Sequence, residues 1–321
     1  MSRAIRAGDV DALVDGARPF ATGVDSSALH VLHDWAAEAV AAGPVPLIDL
    51  AECSDDDAYA VISIIGSPTA VAENLPSGSE PARAIAALER ATGRRVRGIL
   101  PLNTAGENAV IALATAAAAG IELVDADGCG RVQPRVEQSL FALAGLPISP
   151  AVLVSPFGET TVVDGPSHRV AAMFPKLIAA SGGWIYFAGY PMGGRDLRAT
   201  ANPGTIARFL DARPGRPLAT VPHRVIARAA ITSIEVSASA PTARISVLLR
   251  EVGGRERMMR ADAADEFFHV LGDGALLASA PDEILLVSEE GEVIDPDRCA
   301  IGMRVDVVAV EVPDVWREKA S

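Results

Sequence analysis

RGILPLNTAGENAVIALATAAAAGIELVD, residues Arg97–Asp125, decides the fold of this chain. Its apolar run Arg97–Leu102 predicts a strand. Residues Glu107–Ala119 predict a helix that Gly120 ends, and Ile121–Asp125 predicts a second strand. A strand, a helix and a strand joined by short connections form a βαβ unit, in which the two strands are parallel. The stretch therefore predicts an α/β fold.

The same alternation continues on both sides of this unit. Further strands are predicted at Pro46–Leu50, Ala58–Ile65 and Ala151–Ser155. Further helices are predicted at Asp9–Ala17, from the cap at Asp25 or Ser26 to Ala42, at Glu80–Thr92 and at Gln138–Ala144. We therefore predict that residues 1–165 form an α/β domain of the βαβ type with a mostly parallel sheet.

From about Gly165 the pattern changes, and 321 residues exceed what a single core usually organises. Helices are predicted at Ser167–Ala180 and Asn202–Asp211, with Pro203 in the first turn of the latter, and a buried strand at Gly183–Gly189. Short strands separated by Gly, Pro and Asp turns are predicted at Ile231–Val236, Ala243–Glu251, Glu266–Val270, Ala275–Ala280, Glu283–Val287 and Met303–Val312. Residues 166–321 therefore predict an α+β, β-rich domain that ends in an antiparallel sheet or sandwich.

Composition narrows the classes of function. A formal net charge of −13 argues against nucleic-acid binding, which needs clustered Lys and Arg. No apolar run reaches the ~20 residues of a membrane helix, and the first residues lack the apolar core of a signal peptide, so we expect a cytoplasmic protein without a membrane partner. The three cysteines and five histidines have no metal-type spacing, so we expect no metal site. The sequence leaves the cofactor open.

Three loops are candidates for a small-molecule site, because ligands of open parallel sheets bind at the carboxyl ends of the strands. The loop Asn103–Asn108, which includes Glu107, follows one predicted strand and leads into a helix. The loop Asp125–Arg131 follows the next strand, and Glu73–Glu80 opens another helix. The free N–H groups at a helix N-terminus favour an anionic or carbonyl ligand there.

The pair Asp125 and Asp127 has two interpretations. On a glycine-flanked turn both carboxylates could reach one site and act as a base, a metal ligand or a polar anchor. Alternatively, they form an ordinary turn in which the carboxylates accept from backbone amides, since Asp and Gly are common turn residues.

Two further residues have competing interpretations. Cys129, between two glycines, is either a nucleophilic thiol or, as free cysteines more often are, a small buried packing group. Arg195 follows Gly193 and Gly194, and either steadies a carboxylate ligand or belongs to a connecting loop.

Three segments of the chain resemble the S-methyl-thiohydantoin desulfurase family. They are AVAENLPSGSE (Ala70–Glu80), ILPLNTAGENAVIALATAAAAGIELVDADGCGRVQP (Ile99–Pro134) and FALAGLPISP (Phe141–Pro150). The closing LLASAPDEILLVSEEGEVI…IGMRVDVVAVEVPDVW (Leu276–Trp316) resembles the C-terminal domain of the family. DADGCGR is the most specific part of this resemblance, which covers most of the chain.

The resemblance implies a hydrolase that acts on a hydantoin or S-methyl-thiohydantoin ring. Water would attack the amidine-like carbon, and Asp125 or Asp127 would take its proton. Glu73, Asn108 and Arg131 would bind or polarise the ring. Asp25 matches the end of the glycine-rich loop of the family. We expect a small-molecule substrate, a homo-oligomer and, as a further partner, a hydantoinase-like enzyme.

Several positions depart from the family pattern. The glycine-rich loop is shorter here, with the single glycine Gly23 in Ala21–Ser26. Cys129 replaces a methionine, Thr104-Ala105-Gly106 replaces an Ile-Gly-Gly segment, and Asp265-Glu266 replaces an Asn-Glu pair. These departures leave two alternatives to the hydrolase: a homologue with different chemistry that uses Cys129, and a non-catalytic subunit of a hydantoinase-like assembly.

Overall fold

The computed structural model describes residues 3–20, 26–132, 135–212, 218–237, 244–264 and 266–318. The chain forms two compact units, residues 1–211 and residues 212–321. The prediction of two domains is confirmed. The helices and strands of segment 166–211 belong to the first compact unit, and the β-rich unit begins at residue 212. Asp25 and Asp265 lie outside the described residues.

The first unit is built on a mixed sheet. Its described strands are β1 (Arg3–Ile5), β2 (Val45–Ile48), β3 (Ala58–Gly66), β4 (Val96–Pro101), β5 (Glu122–Val124), β6 (Ala126–Asp127), β7 (Ala151–Val154), β8 (Thr160–Val163), β9 (Trp184–Gly193) and β10 (Asn202–Pro203). Eight of them form one sheet in the order β1-β2-β5-β4-β3-β9-β7-β8, and β6 pairs with β10. Within the sheet, β2–β5, β5–β4 and β4–β3 are parallel, whereas the other four pairings are antiparallel.

The prediction of a mostly parallel sheet is therefore wrong. Only β2, β5, β4 and β3, the strands that the βαβ alternation describes, are parallel to one another. A short turn joins β7 to β8, and such a hairpin can join only antiparallel neighbours. β9 then enters between β7 and β3 and runs antiparallel to both. Alternation of helices and strands indicates which segments form the sheet, but not where a strand such as β9 inserts or in which direction it runs.

Helices cover the sheet of this unit. They are α1 (Val10–Ala17), α2 (Ser26–Ala41), α3 (Pro68–Glu73), α4 (Glu80–Thr92), α5 (Gly106–Ala119), α6 (Leu140–Leu143), α7 (Ser167–Ala171), α8 (Phe174–Ala180), α9 (Gly194–Thr200) and α10 (Thr205–Leu210). Within the described residues, no helix is long and apolar enough to cross a membrane.

The central strand β3 shows that both faces of the sheet are covered. Tyr59 and Val61 on one side, and Ala60 and Ile62 on the other, are all almost completely buried. Tyr59 and Val61 pack in a cluster to which α6, α7, α8 and α9 also contribute, while α4 and α5 pack against the sheet strands as well. A strand buried on both faces reads as a continuous apolar run, which is how β3 reads.

Two predicted helices differ from the structure. The segment predicted as one helix at Ser167–Ala180 forms α7 and α8, separated by Ala172 and Met173. In the segment predicted as a helix at Asn202–Asp211, the first two residues form β10 instead. Gly204 follows with φ 77°. This left-handed conformation, which glycine tolerates, separates β10 from α10.

The second unit is a closed antiparallel barrel. Its described strands are β11 (His223–Ser237), β12 (Arg244–Glu251), β13 (Met258–Ala263), β14 (Phe267–Gly272), β15 (Ala275–Ser288), β16 (Val293–Ile294) and β17 (Arg304–Val310), followed by α11 (Val315–Glu318). The pairings run β11-β12-β13-β14-β15-β17 and return to β11, so six strands close the ring, and β16 pairs antiparallel with the end of β15. The prediction of antiparallel strands is confirmed. The strands form a closed barrel, however, and not the predicted sheet or sandwich.

Small aliphatic side chains fill the barrel. Ala229, Val247, Ala261 and Val270 are fully buried in its interior. Neighbouring positions such as Arg260 on β13 carry charge and lie on the outer face, as expected from the alternation of side chains along a strand. A six-stranded barrel has a narrow interior, which accounts for the alanines among its core residues.

The contact between α1 and α2 makes the stability of the first unit depend on pH. The imidazole of His33 on α2 lies 2.7 Å from the carboxylate of Asp11 on α1 and 3.0 Å from that of Asp34, and His30 stacks on its ring. Hydrogen bonds to Asp34 and Asp11 raise the pKa of His33 above 6.5. The stabilisation that the protonated His33 gives to the folded state is fully present below its unfolded pKa, and it is lost as the pH rises through its raised folded pKa.

We predict that His33→Gln lowers the free energy of unfolding at about pH 5 and leaves it unchanged at about pH 9. The loss stays below about 1 kcal/mol, because both aspartates are exposed to solvent. Urea denaturation of both proteins at the two pH values measures the difference. An equal difference at both pH values would contradict the prediction.

Candidate functional site

Asp127, at the end of β6, is fully buried and accepts four hydrogen bonds. Its Oδ1 accepts from the backbone N–H groups of Cys129 at 2.7 Å and Gly130 at 2.6 Å. Its Oδ2 accepts from Asn202 Nδ2 at 2.7 Å and from Thr205 Oγ1 at 2.5 Å. A carboxylate has about four lone-pair positions, so these donors occupy all of them. This geometry agrees with the turn interpretation and leaves no vacant position from which Asp127 could take a proton.

Asp125 contacts the same distant segment. Its Oδ1 accepts from the N–H of Ala207 at 2.9 Å, in the first turn of α10, and its carbonyl accepts from Gly204. Burial raises the pKa of Asp125, against the opposing effect of the backbone hydrogen bonds from Ala207 and Ile206. Burial likewise raises the pKa of Asp127, opposed by its four hydrogen bonds. The two aspartates thus converge on residues 202–207, and Asp125 is the one with part of its surface exposed.

A chain of buried polar side chains lies where β4 ends and β3 continues. The last residue of β4 pairs with Ile62, and β3 extends four residues beyond that point. Ser63 Oγ donates to Asn108 Oδ1 at 2.9 Å, and Asn108 Nδ2 donates to Asn103 Oδ1 at 2.8 Å. Asn103 Oδ1 also accepts from the N–H of Ala105, at the start of α5. We call Ser63, Asn103 and Asn108 the amide network.

Three more polar residues lie beside the amide network. The backbone N–H of Thr104 donates to the carbonyl of Arg131 at 3.3 Å, which joins the loop after β4 to the loop after β5. The hydroxyl of Thr104 is buried and has no hydrogen-bond partner among the described residues. Arg131 is 8% exposed, and Glu107 is half-buried in the first turn of α5. Glu107, Asn108 and Arg131 therefore lie in or next to two loops that this backbone hydrogen bond joins at one edge of the sheet.

Two further predicted residues are exposed to solvent. Glu73 is exposed at the last residue of α3. The side chain of Arg195 is 82% exposed and pairs with Asp55 at 3.3 Å. It lies near Gly193, which pairs with Ala58, the first residue of β3. Arg195 is therefore at the amino end of β3, whereas the amide network is at the carboxyl ends.

Cys129 has the environment of a packing residue. It is 0% exposed, its Sγ contacts the carbonyl of Gln138 at 3.7 Å, and its N–H is held by Asp127. Gly128 beside it has no room for a side chain, since a Cβ would lie 2.4 Å from the ring of Phe141. The glycines of this loop therefore allow close packing and do not expose the thiol.

The sequence did not indicate the role of Tyr190, which contacts residues 136–139 after this loop. Tyr190 is 1% exposed and has φ 49°, a left-handed conformation that is rare for a tyrosine. Its hydroxyl donates to the carbonyl of Val136 at 2.7 Å and accepts from Ser139 Oγ at 3.1 Å. No sequence signal marks Tyr190. Ser63, also missed, could have been noticed as a polar residue inside the apolar strand β3.

A cavity of about 500 Å³ lies beside the carboxyl end of β3, where Ile65 contributes to its lining. Its lining comprises Ile65, Arg135, Val136, Glu137, His168, Ala171, Ala172, Phe174, Pro175 and Ile178. In the part of the chain that the structure describes, no group of three His, Cys, Asp or Glu side chains is arranged to hold a metal ion.

The chain is a two-domain protein. A mixed α/β unit with a buried polar edge comes first, and a closed β-barrel follows it along the chain. Two family models match the chain: the S-Me-THD-like N-terminal domain over residues 8–165 and the S-Me-THD-like C-terminal domain over residues 166–321. The chain belongs to the S-Me-THD-like family.

One solved structure has the same fold over nearly the whole chain. It is the X-ray crystal structure of a protein from Chromobacterium violaceum, with a TM-score of 0.73 and 21% identity. The match covers 98% of this chain and 92% of that chain. No curated protein matches the chain.

We predict that Asp127→Asn destabilises the first unit by about 3 kcal/mol, because the new amide N–H₂ would face hydrogen-bond donors in place of an acceptor. The exposed Asp164 provides a control, and Asp164→Asn is expected to leave the stability unchanged. Chemical denaturation of the three proteins measures the free energy of unfolding. Equal stability of the Asp127 and Asp164 variants would show that the four contacts do not anchor the turn.

The three thiols are predicted to react slowly in the native protein. Burial raises the pKa of Cys53 to about 11 and that of Cys299 to about 12, and Cys129 is inaccessible to solvent. Iodoacetamide at about pH 7 should label them only after denaturation, since the thiolate is the reactive form. Rapid labelling of native Cys129 that a ligand prevents would instead favour the alternative in which this thiol carries the chemistry.

Proposed function

We propose that this protein is a hydrolase of small five-membered cyclic amides of the hydantoin or S-methyl-thiohydantoin type. The observation that carries the proposal is the amide network at the carboxyl edge of β3 and β4, next to a cavity, in a chain that belongs to the S-Me-THD-like family. Such a ring presents N–H donors and carbonyl acceptors, and buried amides and hydroxyls can pair with both.

The unpaired hydroxyl of Thr104 favours the binding of a polar ligand at this edge. A buried hydroxyl without a partner costs about 1–3 kcal/mol, so it is rarely retained without a reason. A ring N–H or carbonyl that reaches Thr104 would supply the missing hydrogen bond. Arg131, joined to Thr104 through the backbone, is the nearby cation that would face a ring carbonyl.

In the proposed reaction, water attacks the ring carbon that carries the methylthio group. The carboxylate of Asp125 takes one proton from the water as the new C–O bond forms, and it returns this proton to the thiolate when the C–S bond breaks. The second proton of the water moves to the ring nitrogen as the carbonyl forms. The products are the hydantoin carbonyl and methanethiol. A base whose pKa is raised by burial is better matched to neutral pH than an ordinary carboxylate. Amides at the N-terminus of α5 and Arg131 would stabilise the negative charge on the ring.

We predict that the wild-type protein releases thiol from S-methyl-thiohydantoins and that Asp125→Asn slows this release at least ~100-fold, a typical contribution of a general base. Asparagine retains an oxygen that can accept from Ala207, so the variant is expected to fold. A thiol-reactive dye follows the release, and Asp164→Asn serves as the matched control. No release by the wild-type protein across a panel of ring substituents would refute the proposed function.

Thr104→Val is predicted to separate binding from stability. Valine keeps the shape of threonine but removes the unpaired hydroxyl, so the free energy of unfolding should stay equal or rise by about 1 kcal/mol. The KM for the ring should rise about tenfold, which corresponds to one lost hydrogen bond. Thermal denaturation and steady-state kinetics on the same samples measure both. A loss of stability with an unchanged KM would assign Thr104 to packing alone.

A further inference from the structure

The cavity beside β3 has the size and lining of a small-molecule pocket. Its volume of about 500 Å³ falls within the ~300–1,000 Å³ that such pockets span. Ile65, Val136, Phe174 and Ile178 contribute apolar surface to it. Phe174 and Val136 are themselves buried in the core of the unit, so this part of the lining has a fixed shape.

Strand β3 relates the cavity to the amide network. Side chains two residues apart on a strand lie on the same face, so Ile65, which lines the cavity, follows Ser63 of the network along β3. The lining also includes Val136, whose carbonyl accepts from the hydroxyl of the buried Tyr190. A ring held at the amide network would therefore have an apolar space on one side.

The charged residues of the lining do not select a charged ligand. Arg135 Nη1 lies 3.8 Å from Glu137 Oε1, so the two opposite charges face each other. His168 is the third polar residue of the lining, and it is exposed to solvent. The chemistry of the cavity thus matches an uncharged, apolar group.

We propose that this cavity binds an apolar substituent of the cyclic amide, and that the substrates are rings with a bulky alkyl or aryl arm. The inference rests on the proposed function, since the ring is what the amide network would hold. A five-membered ring with small substituents would leave most of the cavity unfilled. Each methylene that enters it should strengthen binding about fourfold.

The test is calorimetric titration of the wild-type protein with hydantoins that carry hydrogen, methyl, isobutyl or benzyl on the ring carbon. We expect the affinity to rise with the size of the arm. Ala172 is exposed and lines the cavity, so Ala172→Trp would fill the space without disturbing the core. This variant should lose the gain from the isobutyl and benzyl arms and keep its affinity for the unsubstituted ring. Ala179→Trp, on the exposed side of α8 and outside the cavity lining, is the matched control and should bind like the wild type.

The outcomes separate the two proposals. An affinity that does not depend on the arm, or an Ala172→Trp protein that still distinguishes the arms, would overturn the cavity assignment while the proposed function stands. Failure of every hydantoin to bind would overturn both. A rise with arm size that Ala172→Trp abolishes and Ala179→Trp preserves would support the assignment.

Discussion

The buried carboxylate of Asp127 joins the loop after β5 to a distant segment of the first unit. It accepts hydrogen bonds from Asn202 and Thr205, which lie 75 and 78 residues further along the chain. A fully buried carboxylate is stable only when its oxygens are hydrogen-bonded. Here two backbone N–H groups of its own loop and the side chains of Asn202 and Thr205 provide those bonds. This constraint fixes the loop after β5 against α10, and the loop in turn holds Thr104 through the carbonyl of Arg131. The geometry of the candidate site thus depends on a residue that the site itself does not use.

The mixed sheet explains why a site forms at this edge. β3 is parallel to β4 on one side and antiparallel to β9 on the other, and it continues beyond the end of β4. The backbone and side chains at the end of β3 therefore have no neighbouring strand on the β4 side. The loop after β4 occupies that space with Asn103 and Asn108, so polar groups are buried there because the sheet stops there.

The two compact units solve the problem of packing with few aromatic residues in different ways. The barrel closes its hydrogen-bond ladder, which removes the sheet edges, and fills its narrow interior with alanine and valine. The first unit places its large aromatic side chains, including Phe187 and Tyr190 of β9, against the sheet and the short helices α6–α9. The site is therefore built on the unit with the bulkier core.

The sequence by itself determined the local structure of the central βαβ segment, because its signals act over short distances. Gly93 and Gly120 adopt the left-handed conformation that ends α4 and α5 as predicted, with φ 69° and 64°. The sequence also indicated that the loops Asn103–Asn108 and Asp125–Arg131 follow the carboxyl ends of neighbouring strands, and a backbone hydrogen bond from Thr104 to Arg131 joins them. Only the tertiary structure decided the direction of β9, the closure of the barrel and the donors to Asp127. Each of these depends on pairing between residues far apart in the chain, and no local pattern of side chains specifies which distant partner arrives.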